Sequence, residues 1–231
     1  MFISRRAFLG GVFGSLGVRA QASRPNIVFG IADDLGWNDV GYQNADVRSP
    51  HIDRLSAKGV RFTQYHANAV CSPTRASFHT GRTAFRVGVP SPVPRNEALP
   101  LSEKLLPQYL ANAGYQTWLV GKWHLGSISE AHLPHKRGYQ HHYGFLGGAV
   151  DYYTHSMMNR LDWYRNGEAV EETGYSTDLL ASEAISLIKK RDESKPFFLN
   201  LSFNAPHTPL QAPESFLANF AQVANVNRRT Y

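Results

Sequence analysis

Three short apolar runs punctuate the chain, and each is followed by residues that can ionise. They span residues 26–32, 116–120 and 196–203. Apolar runs of this length, bounded by polar residues, predict β-strands. The first is so uniformly apolar that it predicts a central strand buried on both faces.

Segments with helical periodicity lie between and beside these strands. Residues 50–58 predict a helix that has proline at its first position and is stopped by a glycine. Residues 101–113 predict a second helix, whose regular part begins near Leu106 because Pro107 is tolerated only in a first turn. Residues 176–191 carry the apolar stripe of an amphipathic helix. Strands separated by helices fit an open α/β sheet.

The residues directly after the three runs carry candidate chemistry. Asp33 and Asp34 follow the first, Lys122 and His124 follow the second, and His207 follows the third. The carboxyl ends of strands form the ligand-binding edge of open α/β sheets, so we expect an active site there. Lys122 and His124 are expected to share a face of extended backbone, and His207, between two prolines, to lie on stiff extended chain. The alternatives are a turn for the aspartates and for His207, and a solvated lysine beside a core histidine.

The only cysteine, Cys71, stands at the predicted start of a further helix. Ser72 and Pro73 are typical of an N-cap and a first helical position, and Gly81 of a helix stop. Cys71 would then lie where unpaired backbone N–H groups favour an anion. Arg75, one turn later, adds a forked cation suited to a tetrahedral oxyanion. The alternative is a lone buried thiol beside a surface arginine.

Residues 1–22 predict an export signal. Arg5 and Arg6 precede a short apolar stretch, and residues 20–22 offer a small-residue cleavage site. The paired arginines resemble a twin-arginine signal, with an ordinary secretory signal as the alternative. The stretch is too short for a stable membrane span. Both interpretations predict a protein that engages an export machinery and is periplasmic or extracellular.

Composition narrows the possible partners and metals. A single cysteine excludes an intrachain disulfide and a cysteine-based zinc cluster. The formal net charge of +6 includes three arginines of residues 1–22, and no basic run with interleaved aromatics occurs elsewhere, so no nucleic-acid partner is predicted. The spacing of His135, His141 and His142 fits no common zinc pattern and favours a loop surface.

The pattern of Cys71, Pro73 and Arg75 resembles the C-x-P-x-R signature of the sulfatases. Two further strings, Asp-Asp-Leu-Gly-Trp-Asn-Asp from residue 33 and Gly-Lys-Trp-His-Leu-Gly from residue 121, add to the resemblance. It is nearest to the arylsulfatase B (N-acetylgalactosamine-4-sulfatase) branch. It implies an alkaline-phosphatase-like α/β fold with a large mixed sheet flanked by helices. Residues 23–231 would be the N-terminal part of the catalytic domain, truncated before its C-terminal part.

The resemblance also implies a nucleophile and a cation site. In sulfatases the signature cysteine is oxidised by a formylglycine-generating enzyme to formylglycine, whose hydrated aldehyde attacks the sulfur of a sulfate ester. Asp33 and Asp34 would bind calcium together with the modified Cys71. Arg75 would stabilise the anionic form of the attacking hydroxyl. The implied reaction is hydrolysis of an aryl or sugar sulfate.

The remaining implied roles concern the sulfate group and the protons. Lys122 and His207 would hold the sulfate, and His207 would protonate the departing alcohol. His124 would take the proton of the second hydroxyl, which releases sulfate and restores the aldehyde. Residues 151–155 resemble a segment of the pocket wall and are a candidate substrate contact.

One departure from the family pattern leaves alternatives open. The family's second metal-ligand pair, Asp-Asn before Gly, and a further sulfate-binding lysine would lie downstream of Tyr231, and no Asp-Asn-Gly occurs in the chain. One alternative is therefore an inactive remnant that binds anions or glycans. Another is a phosphoester or phosphonate hydrolase of the same superfamily.

Overall fold

The computed structural model describes residues 24–231, so the predicted export signal lies outside the described residues. Six strands form the main sheet, in the order β1-β8-β2-β3-β6-β7, and β4 pairs with β5 in a separate ribbon. The first four strands of that order are parallel, and the last two are antiparallel. The strands are β1 (Ile27–Ile31), β2 (Gln116–Gly121), β3 (His141–Gly144), β4 (Ser156–Met157), β5 (Arg160–Leu161), β6 (Tyr164–Arg165), β7 (Glu168–Ala169) and β8 (Phe197–Ser202).

Six α-helices accompany the sheet among the described residues. They are α1 (Pro50–Lys58), α2 (Cys71–Thr80), α3 (Leu106–Asn112), α4 (Ser176–Lys190), α5 (Glu214–Leu217) and α6 (Val226–Thr230). The helices predicted near 50–58, 101–113 and 176–191 are confirmed, as are the three predicted strands. The mixed, mostly parallel sheet with flanking helices confirms the predicted α/β class.

The register of the sheet explains why the three strand ends meet. Ile31 of β1 and Gly121 of β2 both pair with Ser202 of β8, so the three residues form one row across the sheet. The chain therefore leaves three neighbouring parallel strands at the same level. Asp33 and Lys122 follow that row by one or two residues, which brings them to the same edge.

The core consists of two apolar layers, one on each face of the sheet. Leu119 of β2 and Phe198 of β8 face the layer that includes Ala76 of α2. Their strand neighbours face the opposite layer, under α4, because side chains alternate across a strand. That second layer contains Trp118, Val120, Phe197 and Leu199, with Leu180 and Ala184 of α4.

The prediction that β1 is a central strand buried on both faces is wrong for the described residues. It is the edge strand of the sheet, and only alternate residues are partly covered. Phe29 stacks on Phe78 of α2 with ring centroids 4.0 Å apart, whereas Val28 on the other face is 56% exposed. The reason is that α4 packs mainly over β2, β3 and β8.

The expectation of a loop surface for the clustered histidines is also wrong. His142 lies within β3 and is fully buried, and His141 on the same strand contacts Glu183 of α4. The irregular composition of this segment concealed a strand that pairs with β2 on one side and β6 on the other. Within residues 24–231, no helix is long and apolar enough to cross a membrane.

Candidate active site

Cys71 is the first residue of α2, and Val70 occupies the N-cap position with extended backbone. The helix thus begins two residues earlier than predicted, and Ser72 does not cap it. Gly81 ends the helix with a left-handed backbone (φ 66°), as predicted. The side chain of Cys71 is half-buried, and its Sγ atom lies 3.1 Å from Nδ1 of His124.

Ser72 ties two other segments to the start of α2. Its hydroxyl donates a hydrogen bond to the carbonyl of His124 and accepts one from the amide of Val93, both at 2.9 Å. His124 has a φ of 52°, so the predicted extended backbone from Lys122 to His124 is wrong. This left-handed residue redirects the chain after β2. Lys122 and His124 nevertheless both point into the site.

Arg75, Lys122 and Asp33 form a buried charge cluster beneath Cys71. Lys122 Nζ forms an ion pair with the Asp33 carboxylate, and Arg75 Nη2 lies 3.6 Å from the same oxygen. Arg75 Nη1 donates to the Lys122 carbonyl (3.0 Å) and to the hydroxyl of Ser202. One carboxylate therefore faces two cations, and all three charged side chains are at most 6% exposed.

Burial shifts the proton affinities of this cluster. Desolvation lowers the pKa of Lys122, and the neighbouring charge of Arg75 lowers it further. Desolvation, followed by the charges of Lys122 and Arg75, lowers the pKa of His124 to about 3. His124 is consequently neutral at neutral pH, with a ring nitrogen at hydrogen-bond distance from the side chain at position 71.

Asp34 and His207 lie at the rim of the site. The Asp34 side chain is 62% exposed, and His207 Nε2 lies 3.5 Å from one of its oxygens. The chain turns before His207 and bends there, and the His207 amide donates to the Asn204 carbonyl, so the predicted straight extended segment is not found. Nδ1 of His207 lies 2.6 Å from the carbonyl of Thr208, which can only accept, so Nδ1 carries a proton and Nε2 faces Asp34.

A buried hydrogen-bond chain behind Arg75 was not predicted. His79 Nδ1 donates to the Arg75 carbonyl (2.7 Å), so neutral His79 accepts at Nε2 from the hydroxyl of Tyr139 (2.9 Å). The Tyr139 oxygen then accepts from the amide of Asn200 (3.0 Å). Burial lowers the pKa of His79 to about 4 and raises that of Tyr139, which keeps both groups neutral. The direction of every hydrogen bond in this chain is thus determined.

The sequence contained weak signals for these residues. Asn200 and Ser202 are the polar positions in an otherwise apolar strand, and polar residues in such a strand need buried partners. His79 stands in the helix that carries Cys71 and Arg75. Nothing in the sequence pairs it with Tyr139, 60 positions away.

Calcium is the cation that the resemblance to sulfatases implies. Among residues 24–231, no group of three or more His, Cys, Asp or Glu side chains is arranged to hold a metal ion. Calcium takes six to eight oxygen ligands. Asp33 is already paired with two cations, and Asp34 is the other carboxylate at this edge. These residues alone do not build a calcium site.

Comparison with known proteins agrees with this geometry. The family model described as "Sulfatase" matches residues 25–231, so the chain belongs to the sulfatase family. Arylsulfatase J of Mus musculus is 36% identical over 223 residues, which cover 92% of this chain and 37% of that protein. The chain spans less than half the length of this and three further curated relatives, between 37% and 47%.

Solved structures share the fold. Ps i-CgsB in complex with k-i-k-neocarrahexaose has a TM-score of 0.85 at 36% identity, covering 90% of this chain and 51% of that chain. A protein solved with its substrate D-glucosamine-2-N,6-O-disulfate has a TM-score of 0.74 at 31% identity, covering 87% and 38%. The described residues thus have the fold of the N-terminal part of a sulfatase.

Proposed function

We propose that the protein hydrolyses aryl or sugar sulfate esters through a formylglycine made from Cys71. The observation that carries the proposal is the meeting of Cys71, the neutral imidazole of His124 and the cations of Lys122 and Arg75 at the carboxyl edge of the sheet. A partly accessible side chain at a helix start, with two cations behind it, suits attack on an anionic ester.

Position 71 fits the modified residue. The side chain is small and partly accessible, and it lies within hydrogen-bond distance of His124. When Cys71 is converted, the hydrated aldehyde supplies the attacking hydroxyl. A general base must be unprotonated at the working pH, and His124 meets that condition because burial keeps it neutral. His124 therefore takes a proton from the group at position 71.

Lys122, Arg75 and His207 act on the sulfate and the departing alcohol. The two buried cations lower the cost of bringing negative charge into a site of low dielectric constant. His207 lies at the rim with its ring 21% exposed and Nε2 directed toward the opening near Asp34. This position suits a proton donor to the leaving oxygen, which must still be reachable from solvent.

Calcium belongs to the proposal only for the whole protein. Asp33 and Asp34 would supply two of its ligands together with the modified Cys71, and the remaining ligands would come from outside residues 24–231. The charge of such a cation stabilises an oxyanion.

Sulfated sugars are the proposed substrate class, with aryl sulfates as assay substrates. Support comes from the two structural relatives, one solved with neocarrahexaose and one with a sulfated glucosamine. The other proposed partners are a formylglycine-generating enzyme and an export machinery. We propose a periplasmic or extracellular location, which amino-terminal sequencing of the exported protein would test through cleavage after residues 20–22.

The decisive experiment has two measurements. The chain is co-expressed with a formylglycine-generating enzyme, and the Cys71 peptide should lose about 18 Da as SH and H are replaced by a carbonyl oxygen. A completed chain, in which residues 24–231 are followed by the part of a relative that they do not cover, is then assayed on an aryl sulfate and the matched phosphate ester. Cys71→Ala serves as the inactive control.

Each result decides between the proposal and its rivals. Loss of mass together with preferential turnover of the sulfate supports it. An unmodified thiol would exclude the formylglycine mechanism. Faster turnover of the phosphate ester would favour a phosphoester hydrolase, and tight sulfate binding without turnover would favour a binding module.

A further inference from the structure

Two loops meet beside His207, and side chains join them. The loop at 150–155 precedes the β4–β5 ribbon, and the loop at 204–211 follows β8. The hydroxyl of Tyr152 donates to the His207 carbonyl (2.9 Å), and the amide of Asn204 donates to the Val150 carbonyl (3.1 Å). The position of the His207 backbone thus depends on the neighbouring loop.

Gln211 makes two further contacts between these loops with a single side chain. Its Nε2 donates to Oδ2 of Asp151 (2.7 Å), and its Oε1 accepts from the amide of Tyr152 (2.8 Å). A carboxylate can only accept and a backbone N–H can only donate, so the orientation of the Gln211 amide is unambiguous. The other Asp151 oxygen accepts from the amides of Tyr153 (3.0 Å) and Thr154 (2.8 Å).

Gln211 is also held through its backbone. The hydroxyl of Tyr175 donates to the Gln211 carbonyl (3.0 Å), and the Tyr175 ring stacks on Tyr152 with centroids 5.4 Å apart. Tyr152 is 1% exposed. Hydrogen bonds that surround such a buried ring are costly to leave unmade. The two loops therefore move together or not at all.

His207 has few direct contacts of its own that could fix it. Its side chain contacts the adjacent residue Thr208 and, at 3.5 Å, the exposed Asp34 carboxylate. A surface contact of this kind contributes little to rigidity. A proton donor, in contrast, must be held close to one geometry to act on a leaving group. Some other part of the structure must supply that constraint.

We propose that Asp151 and Gln211 form a clamp that positions His207, acting through Tyr152. Gln211 is a positioning residue, because it contacts neither Cys71 nor the charged cluster. The catalytic consequence rests on the proposed function, in which His207 donates a proton. The clamp itself does not depend on that function and is tested without it.

The complementarity of the clamp provides its test. Gln211→Glu is nearly isosteric but sets two carboxylates against each other. Asp151→Asn alone replaces one acceptor oxygen by an NH₂ donor. This donor faces either Nε2 of Gln211 or the amides of Tyr153 and Thr154, so one hydrogen bond is lost in either orientation. The double variant with both changes exchanges the amide and the carboxylate between the two positions, so a hydrogen bond between the side chains can form again. The two single variants should be impaired and the double variant rescued.

The readouts are local and use the chain as it stands. The amide of His207 donates to Asn204, so its hydrogen exchange reports opening of this loop. Loss of one half-buried hydrogen bond should raise its exchange rate about fivefold or more in each single variant. Modification of the His207 ring by diethyl pyrocarbonate, followed by mass spectrometry, should accelerate in parallel. Sheet amides such as Leu119 and the modification of exposed His66 serve as internal controls.

The outcomes separate positioning from general stability. Faster exchange at His207 with unchanged sheet amides, restored in the double variant, supports the clamp. Unchanged exchange at His207 in Gln211→Glu, or a double variant no better than Asp151→Asn, would overturn it. So would equal loosening of every amide. A completed chain that lacks sulfatase activity while the exchange pattern holds would reject the proposed function and leave the clamp intact.

Discussion

Cys71 Sγ lies 3.1 Å from Nδ1 of His124, although 53 positions separate the two residues in the chain. The contact is a consequence of register. Gly121 lies in the same row as Ser202, so the chain leaving β2 passes over the start of α2. There the Ser72 hydroxyl binds the His124 carbonyl and fixes the segment. The backbone thus sets the distance between Cys71, the proposed nucleophile once converted, and His124, the proposed base.

The two candidate proton carriers should respond differently to the leaving group. In the completed chain with Cys71 converted, we expect His207→Ala to reduce turnover of substrates with poor leaving groups by about 10²-fold or more, because these need a proton. Substrates with good leaving groups should be affected far less. His124→Ala should instead let the sulfated enzyme accumulate, because regeneration needs the base.

Rates on a series of substituted aryl sulfates measure the first effect, and mass spectrometry of the quenched enzyme measures the second. His66→Ala, at an exposed histidine, is the control. Equal losses on good and poor leaving groups in His207→Ala would argue against its role as the acid.

The hydrogen-bond chain behind Arg75 should be sensitive to a single hydroxyl. Tyr139→Phe leaves His79 Nε2 and the Asn200 amide without a partner in the core. An unsatisfied buried polar group costs about 1–3 kcal/mol, and we expect a loss of that size in the free energy of unfolding. Urea titration measures it, with Tyr109→Phe at an exposed tyrosine as the control. Equal stability of the two variants would show that the hydrogen bonds of Tyr139 contribute nothing to the free energy of unfolding.

The sequence predicted the elements better than their environments. The α2 helix, the strands β2 and β8 and the glycine stop at Gly81 follow from local patterns of apolar, capping and helix-ending residues. The edge position of β1 does not, because exposure of Val28 depends on where α4 ends up. The predicted loop surface for His142 is wrong for a similar reason, because its burial depends on the elements that pack around β3. Burial is a property of the assembled layers, and a single stretch of sequence does not encode it.

The sequence predicted which residues form the candidate site, but not the contacts between their side chains. Three strand ends implied one edge, and the register confirms that they meet. The ion pair between Asp33 and Lys122 joins residues 89 positions apart in the chain. No short-range sequence pattern predicts a contact between residues so far apart. The left-handed backbone of His124 was not predicted, because histidine is not a typical turn residue and its neighbours predict extended chain.

Buried neutral histidine should make stability depend on pH. Burial lowers the pKa of His142 from 6.5 to about 3, and among residues 24–231 neither ring nitrogen has a partner with the geometry of a full hydrogen bond. Between pH 6.5 and 3 the unfolded chain therefore binds a proton that the folded chain does not, so stability rises with pH across this window. Relative to pH 7, the loss from His142 at pH 5 is about 2 kcal/mol.

Denaturant titrations at pH 7 and pH 5 measure this dependence. His142→Leu should reduce the difference between the two pH values by roughly the same 2 kcal/mol. His66→Gln at an exposed position should leave it unchanged. An unaltered pH dependence in His142→Leu would show that His142 is not the group responsible.

The open edge of β1 should promote self-association. An edge strand presents unpaired backbone groups, and Val28 adds an exposed apolar side chain. We expect the isolated chain to form concentration-dependent oligomers, visible by light scattering. Val28→Lys should reduce them because an edge charge opposes strand pairing. Lys substitution of Leu101, an exposed residue remote from β1, is the control, and an equal effect there would indicate a general charge effect.

Calcium binding provides the sharpest test of the charge cluster. Asp33 is paired with Lys122 and Arg75, so a cation must compete with two positive charges for its carboxylate. Asp34 alone adds one exposed carboxylate at this edge. Affinity falls with ligand charge and number, so we expect the 231-residue chain to bind calcium no more tightly than roughly 10⁻⁴–10⁻³ M. Titration calorimetry measures this, and Asp34→Asn should abolish it.

We expect the isolated chain to be inactive for the same reason. The cation's contribution to stabilising an oxyanion would be largely absent, even with Cys71 converted. We therefore expect no measurable aryl sulfate turnover by the purified 231-residue chain and recovery of activity in the completed chain. Lys122→Gln should tighten calcium binding, because it frees Asp33 from its closest cation, without restoring turnover. Calcium-dependent turnover by the purified chain would contradict this reasoning and would mean that its own residues, or a second copy, complete the site.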